Sequence, residues 1–349
     1  MDALADTTLV ALVGLFGGVL LGLAARLGRF CTLGAIEDLL YGGSDTRLRM
    51  WLVALGIAII GSFGLMATGL LDPAQTFYLT TGFSPIASIA GGLLFGYGMA
   101  LAGNCGYGAL ARLGGGDLRS FVIVIVMALA AAMTIGGPLA YLRVWIFPMD
   151  AELPPRGLAD ILAGATGIGR TIWGLAAGLA CLAVAFRSAE FRRRRSPVIW
   201  AVVAGLAIVS GWAGTQWVSD YSFGATRVVS HTYSGPLSDT VLYAMTASGS
   251  TLSFGVGSVL GVLAGAFIGS LIRGHFRWEA CDDPRELRRQ IIGAAMMGVG
   301  AVVAAGCSVG QGLSAFSLLA VSAPVTLAAI GVGAALGLKF LILGIRPAP

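Results

Sequence analysis

The sequence predicts an all-α polytopic membrane protein with about nine transmembrane helices and short re-entrant helices between them. Of its 349 residues, 57% are hydrophobic and only 11% are charged, whereas a soluble chain carries roughly a quarter charged residues. The mean hydropathy of +0.87 indicates the same class. Helix is the expected state of each span, because every backbone polar group in lipid must find its hydrogen-bond partner within the protein. The 53 glycines suit the close approach of helices in a membrane.

Nine apolar windows of about 20 residues, the length that crosses a bilayer, mark the predicted spans. They cover residues 8–27, 48–70, 85–103, 120–142, 168–187, 197–218, 251–273, 288–306 and 322–343. The first window is long enough to cross the membrane, and no basic segment precedes it. We therefore expect it to be a membrane span and not a cleaved signal peptide.

The basic residues are distributed unevenly between the two ends of these spans. If the loop that holds Arg187 and residues 192–195 is cytoplasmic, few of the 22 basic residues fall outside, namely Arg143, Arg156, Arg170 and Arg227. The positive-inside rule then predicts a periplasmic N-terminus and a cytoplasmic C-terminus. Membrane topology also explains the net charge of +5, so no nucleic-acid partner is expected.

Three regions between spans are long enough for re-entrant or interfacial structure. They are residues 31–47, 104–119 and 219–250. The third region is a large outer loop that contains Tyr221, His231 and Tyr233. Its aromatic residues are typical of a membrane-interface belt.

The chain contains a weak internal repeat. Gly91 to Gly108 and Gly293 to Gly310 are both Gly-rich segments that end in a cysteine and, three residues later, a glycine. Because the predicted topology runs them in opposite directions, they suggest an inverted repeat, an arrangement common in transporters. We expect one membrane domain, residues 1–349, with a first repeat at about 1–145, a connector span at about 165–190 and a second repeat at about 197–345. On that scheme residues 211–215 end the sixth span where Cys31 ends the first, without a cysteine.

Three Cys-x-x-Gly turns, each at the end of an apolar span, carry the main functional signal. The candidate residues are Cys31, Cys105 and Cys307, the glycines Gly34, Gly108 and Gly310, and the polar neighbours Asn104 and Gln311. Glycines at a fixed offset imply backbone that turns sharply, and broken helices at membrane depth are where transporters bind anions. A neutral thiol is a weak donor with a soft sulfur. Several such groups in series suit an anion with a soft end, such as a sulfane sulfur or selenium. Each contact is weak, which lets the anion leave each site for the next one.

Cysteines in a membrane protein also have other roles. Cys181, in the middle of the fifth span, is expected to be a small core residue, and Cys281, beside acidic residues that disfavour a thiolate, an incidental loop residue. Three thiolates can bind Cu(I), although the methionines are scattered. A thiol–disulfide relay normally needs an adjacent resolving cysteine. With no Cys-x-x-Cys and two histidines, neither zinc nor another metal centre is predicted.

At these residues the chain resembles the YeeE/YedE family of sulfur transport proteins. The resemblance rests on RFCTLGAIEDL at residues 29–39, GNCGYG at 103–108 and GCSVGQG at 306–312. It implies an hourglass of transmembrane and short re-entrant helices with pseudo-two-fold symmetry, and a central path lined by three cysteines that Cys31, Cys105 and Cys307 match. It also implies that thiosulfate passes from thiol to thiol through S–H···S contacts. Small cytoplasmic sulfur carriers resembling TusA are the implied partners.

The sequence and this resemblance together predict a bacterial inner-membrane importer of thiosulfate or a related sulfur-containing anion, without enzymatic activity and without a cofactor. No Gly-x-x-x-x-Gly-Lys-[Ser/Thr] motif is present, so a channel-like or secondary carrier is expected. Two alternatives stay open. One is a membrane thiol oxidoreductase or sulfurtransferase with a persulfidated cysteine, and the other is transport of a selenium compound.

Overall fold

The computed structural model describes residues 2–148, 156–222, 224, 226–280 and 283–343. The regular structure of these residues is helical, beside three isolated β-bridges. The helices are α1 (Asp2–Gly28), α2 (Thr32–Leu40), α3 (Thr46–Ala67), α4 (Phe77–Thr80), α5 (Pro85–Ala102), α6 (Gly106–Leu113), α7 (Leu118–Ile135), α8 (Pro138–Ile146), α9 (Leu158–Thr166), α10 (Arg170–Phe186), α11 (Ala189–Arg193), α12 (Arg195–Tyr221), α13 (Gly235–Thr246), α14 (Phe254–Ile272), α15 (Pro284–Val303) and α16 (Ser322–Leu343). A 3-10 turn covers Pro73–Gln75 and a π-helical turn covers Gly310–Ala315. The all-α prediction is confirmed.

Eight of the nine predicted spans each coincide with one helix, whereas the fourth, residues 120–142, runs past the end of α7 at Ile135 into α8, which begins at Pro138. Within the described ranges, seven helices are long and apolar enough to cross a membrane, namely α1, α3, α5, α7, α12, α14 and α16. Helix α10 is apolar but has 17 residues, and the first turns of α15 carry Arg285, Glu286, Arg288 and Arg289. The chain is a multi-pass membrane protein, and crossing by α10 and α15 stays a prediction.

Helices α1 and α14 cross at a face made of glycines. Every fourth residue along this face is a glycine: Gly14, Gly18 and Gly22 on α1, and Gly257, Gly261 and Gly265 on α14. A Cβ atom at any of these positions would collide with backbone atoms of the facing helix. Apolar side chains gain little from packing against each other in lipid, so this close backbone contact is what holds the pair together.

We expect Gly261→Ala to destabilise the folded protein, whereas Gly331→Ala should not. The new methyl group at residue 261 would lie 2.9 Å from the Gly18 Cα, so the helices must separate; overpacking of this kind costs roughly 1–3 kcal/mol. Gly331, on α16, has no atom within 4 Å of the same position, and alanine favours helix by up to about 1 kcal/mol. Thermal unfolding of the two purified variants in detergent measures the difference. Equal melting temperatures would contradict the packing described here.

Helices α5 and α15 cross at a second glycine face, and the contacts across it are reciprocal. A Cβ on Gly98 would lie 2.6 Å from the Gly293 oxygen, and a Cβ on Gly293 would lie 2.6 Å from the Gly98 oxygen. Gly91 and Gly300 face each other in the same way. Around this crossing the helix pairs match between the two parts of the chain: α5 packs on α16 as α15 packs on α7, and α1 packs on α14 as α12 packs on α3.

The predicted end of the sixth span is wrong. Helix α12 continues to Tyr221, so residues 211–215 lie inside it and not at its end. The polar Thr215 is tolerated there because its hydroxyl donates to the Gly211 carbonyl one turn earlier, at 2.8 Å. The short helix that follows α12 is α13, and the residue before it is Ser234.

The predicted interface role of the outer loop is also wrong for two of its residues. Tyr221 is 66% exposed, as expected, but His231 and Tyr233 are fully buried. The backbone around them runs back into the protein because α1 and α12 present glycines to it. A Cβ at Gly17 would overlap the His231 ring, and one at Gly211 would lie 2.6 Å from the Ser230 hydroxyl.

Candidate functional site

The three Cys-x-x-Gly sequences adopt one type of turn. The residue two positions before each cysteine has left-handed backbone: Arg29 with φ 56°, Gly103 with φ 76° and Ala305 with φ 53°. Each turn ends one helix and starts a short one directly after the cysteine, namely α2, α6 and residues 308–317. Left-handed backbone costs a non-glycine residue roughly 1–2 kcal/mol. Two such residues at equivalent places therefore indicate a constrained, functional region.

The glycine three residues after the cysteine has a direct role in two of the turns. The Gly108 N–H donates to the Cys105 sulfur, and the Gly310 N–H donates to the Cys307 sulfur, both at 3.4 Å. Each sulfur thus satisfies one of the free N–H groups that open a helix. Cys31 lies at the start of α2 without such a bond and is only half-buried.

Cys307 receives further donors from the buried segment after α12. The Tyr233 N–H donates to its sulfur at 3.4 Å, and the Thr232 hydroxyl lies 3.6 Å from it. A side chain at Gly310 would displace this arrangement, since its Cβ would lie 2.9 Å from the Tyr78 hydroxyl and close to Thr232.

The three thiols lie close together, with Cys105 between the other two. Cys105 is near enough to interact electrostatically with both Cys31 and Cys307. Two buried tyrosines flank the row, with ring centroids 5.5 Å apart. The Tyr107 side chain is near enough to interact electrostatically with Cys105 and Cys31, and that of Tyr233 with Cys307 and Cys105.

Two cavities approach this row from opposite faces of the protein. The Cys307-side cavity, of about 960 Å³, opens where α1 begins and reaches Gly306 and Gln311, which flank the Cys307 turn. The Cys31-side cavity, of about 400 Å³, opens at the other face. It is lined by four of the predicted residues: Cys31, Gly34, Asn104 and Gly108. Cys105 and Cys307 line neither cavity and lie in the packed layer that separates them.

The two cavities differ in charge. Five arginines line the Cys31-side cavity, with Glu37 as the acidic residue; they are Arg26, Arg29, Arg47, Arg112 and Arg273. The Cys307-side cavity is lined by Arg143, Arg227 and Asp239. Both cavities therefore favour anions, the Cys31-side cavity far more strongly.

Buried polar groups without a hydrogen-bond partner lie directly beside each of the three cysteines. In the part of the chain described, the side chains of Thr32, Asn104 and Ser308 have buried polar atoms without a partner. Asn104 lacks partners on both its amide nitrogen and its oxygen. The Ser308 hydroxyl approaches the Cys105 sulfur without reaching hydrogen-bond geometry. Unpaired buried groups are costly in proteins, and a polar ligand beside the cysteines would pair these three.

A family model described as sulphur transport matches residues 27–336, which is most of the chain. The chain belongs to the sulphur transport family. Two relatives, from Escherichia coli (strain K12) and Spirochaeta thermophila, are each named thiosulfate transporter TsuA. The first is 25% identical over 96% of this chain and 92% of its own length, and the second is 25% identical over 88% and 92%. The family predicted from the three cysteine motifs is confirmed.

Gln311 holds the third turn of this sulphur transport protein in place. Its amide donates to the Ala305 and Ala304 carbonyls at 3.0 and 3.3 Å, and its oxygen accepts from Ser322 at 3.3 Å. It contacts the Cys307-side cavity as well, so it shapes that surface through the backbone it fixes.

The remaining two cysteines, Cys181 and Cys281, belong to none of the three Cys-x-x-Gly turns. Cys181 is half-buried on α10, which packs against α3 and α9. Cys281 lies outside the described residues.

Sequence reasoning missed Tyr78, Thr232 and the functional environment of Tyr233. No motif or spacing connects these residues with the cysteines in the chain. The one available signal was His231, since a histidine in so apolar a sequence indicates either a functional or a buried hydrogen-bonded site. Its Nδ1 lies 2.7 Å from the Ser258 hydroxyl, which donates to the Tyr233 hydroxyl at 3.2 Å.

Proposed function

We propose that this chain imports thiosulfate, or a related sulfur-containing anion, across a bacterial inner membrane along a central path past Cys307, Cys105 and Cys31. The observation that carries the proposal is the row of three thiols between two anion-favouring cavities. The names of the two relatives support thiosulfate as the substrate. In this proposal the chain is a carrier and not an enzyme.

The thiols suit a substrate with one soft end. A glycine N–H occupies the sulfur of Cys105 and of Cys307, which leaves each S–H free to donate to a passing ligand. A thiol is a weak donor, so each contact is brief enough for the anion to move on. A polarizable terminal sulfur fits these contacts better than a hydrated oxygen.

The opposite end of thiosulfate carries hard oxygens, which need stronger donors. The unpartnered Thr32 hydroxyl, Asn104 amide and Ser308 hydroxyl lie beside the thiols and supply them. A ligand oxygen that accepts from these groups would pair donors that no protein atom pairs. This pairing of soft and hard contacts matches an anion that has both.

The path follows from an inverted repeat, which we also propose. In this scheme α1, α2, α3, α5, α6 and α7 correspond to α12, α13, α14, α15, residues 308–317 and α16, and α10 connects the two repeats. The matched helix pairs and the reciprocal glycine contacts of α5 and α15 support it. The fourth turn then has Ser234 at the position of Cys31.

We expect the N-terminus outside and the C-terminus in the cytoplasm. The strongly basic Cys31-side cavity then faces the cytoplasm, in agreement with the positive-inside rule. Reporter fusions after residues 190 and 235 should score cytoplasmic and periplasmic, respectively. The reverse scores would overturn this orientation. A TusA-like carrier as the cytoplasmic acceptor belongs to the same proposal and is supported by the family resemblance.

Growth tests the function directly. A host that lacks its own sulfate and thiosulfate uptake should grow on thiosulfate as sole sulfur source only when it produces this protein. Growth of both strains on cysteine is the control. Membrane-inserted protein without growth on thiosulfate would refute thiosulfate import, and growth on selenium-free medium excludes a selenium compound as the required substrate.

The surroundings of Cys307 favour a second candidate, a membrane sulfurtransferase. Donors from Tyr233, Gly310 and Thr232 meet at one sulfur and would stabilise negative charge there. In that reaction the thiolate attacks the sulfane sulfur of thiosulfate, the S–S bond of thiosulfate breaks, and sulfite leaves with the bonding electrons. The protein then carries a persulfide, which mass measurement after incubation with thiosulfate would detect.

A further inference from the structure

We propose that the Cys31-side cavity, at the Cys31 end of the thiol row, contains a binding site for divalent oxyanions, formed by the Asn104 amide and an arginine rim. The rim consists of Arg26, Arg29, Arg47, Arg112 and Arg273. The site deepens the proposed transport function and rests on it only for the identity of the natural ligand. Its chemistry is the reverse of that of the thiol row, because it selects for charge and hard oxygens.

Three of the rim arginines hydrogen-bond to neutral groups. Arg26 Nε donates to the Ser270 hydroxyl at 2.6 Å, Arg112 Nη2 donates to the Gly103 carbonyl at 3.3 Å, and Arg273 donates to the Leu27 carbonyl. The positive charge of Arg26 is also repelled by Arg112 and Arg273. Attraction to Glu279 and Asp117 offsets part of this repulsion. These contacts fix the guanidinium groups in place and leave much of their charge unneutralised. A divalent anion in the cavity would supply the missing negative charge.

Arg47 is positioned differently, and a predicted glycine makes room for it. Its guanidinium forms an ion pair with Asp38 at 3.2 Å and lies directly over Gly34, where any side chain would collide with it. Gly34 belongs to the first turn of α2, so Arg47 is brought next to the free N–H groups at that helix start. Positive charge and backbone donors therefore face the same part of the cavity.

Asn104 provides the second, independent indication of a ligand. Its side chain is 1% exposed, lines the cavity, and has a partner on neither its nitrogen nor its oxygen. A buried amide with both of its polar atoms unpaired is unfavourable unless a ligand pairs with it.

The donor set predicts the ligand class. Guanidinium and amide groups bind oxygens of sulfate-like anions through charge-assisted hydrogen bonds and do not require a soft atom. Sulfate should therefore bind here as well as thiosulfate does, although the thiol row should not pass it. An importer with this arrangement would select anions with a polarizable sulfur at the thiols. The arginines of the Cys31-side cavity would then hold the anion through its negative charge.

Binding of radiolabelled inorganic sulfate to the purified full-length protein in lipid nanodiscs tests the site. We expect saturable binding, weakened about tenfold by Arg112→Gln or Arg273→Gln, the loss typical of one charge-assisted hydrogen bond. Arg112→Lys should retain most of the affinity. Arg289→Gln is the matched control, because Arg289 is exposed near the start of α15 and does not line the cavity. Size-exclusion profiles and melting temperatures verify that each variant is folded.

Cys105→Ala separates this site from the transport function. This variant should lose thiosulfate uptake and keep sulfate binding. If the wild-type protein binds sulfate but transports no thiosulfate, the binding site is supported and the import function is refuted. Absence of saturable sulfate binding would overturn the site. So would equal losses in Arg289→Gln and Arg112→Gln, or loss of sulfate binding in Cys105→Ala.

Discussion

Replacing Cys105 by alanine is expected to reduce thiosulfate uptake by roughly 100-fold, which corresponds to about 2.8 kcal/mol at the narrowest part of the path. Cys105 lies between Cys31 and Cys307 and is 1% exposed, so its loss removes the contact that links the other two thiols across the buried part of the path. Alanine removes the sulfur and, with it, the bond from the Gly108 N–H, so only variants present in the membrane at wild-type levels are compared. Uptake of labelled thiosulfate by cells with equal amounts of membrane-inserted protein measures the effect.

Cys31→Ala and Cys307→Ala should cause losses of a similar size, and Cys181→Ala is the control. Cys181 is half-buried on α10 and belongs to none of the three turns. The same cysteine-to-alanine change there should leave uptake near the wild-type level. If Cys181→Ala is as damaging as Cys105→Ala, the assignment of the path to the three turns is wrong.

The second large effect concerns selectivity between thiosulfate and sulfate. The two dianions are similar in size and differ at one atom, a polarizable sulfur against a hard oxygen. A hydrogen bond from a weak S–H donor does not compensate for the free-energy cost of removing water from that oxygen. Excess external sulfate should therefore compete poorly for uptake, whereas selenosulfate or another sulfane-like anion should compete well.

Cys105→Ser tests the same mechanism from the side of the protein. Serine has nearly the shape of cysteine, and its hydroxyl is a harder and stronger donor. Uptake should be lost all the same, because the terminal sulfur of thiosulfate no longer meets a soft partner. Competition assays with labelled thiosulfate settle both points. Normal uptake by Cys105→Ser, or sulfate competing as well as unlabelled thiosulfate, would contradict the soft-contact mechanism.

The helices and the three turns could be predicted from local sequence because their causes are local. Apolar runs predict spans, and a glycine three residues after a cysteine reflects the N–H bond that Gly108 and Gly310 donate to the sulfur. The family could also be predicted, since its motifs are continuous in the chain.

The surroundings of the thiols could not be predicted, because they depend on tertiary contacts. Thr232 and Tyr233 reach Cys307 only because Gly17 and Gly211, far apart in the sequence, open a space for their segment. In the sequence the rim arginines contribute to the positive-inside pattern. That pattern does not distinguish arginines that fix the topology from arginines that bind a ligand. Arg26 and Arg273 meet through the crossing of α1 and α14, and that crossing leaves only a faint glycine pattern in the sequence.

The thiol path is tested most directly by purified protein in proteoliposomes, with thiosulfate labelled at the sulfane sulfur. Wild type and Cys181→Ala should accumulate intact labelled thiosulfate in the vesicles, whereas Cys105→Ala should not. Accumulation by Cys105→Ala would contradict a path through the thiols. Labelled persulfide on the protein, with sulfite released and no thiosulfate inside, would identify a sulfurtransferase in place of an importer.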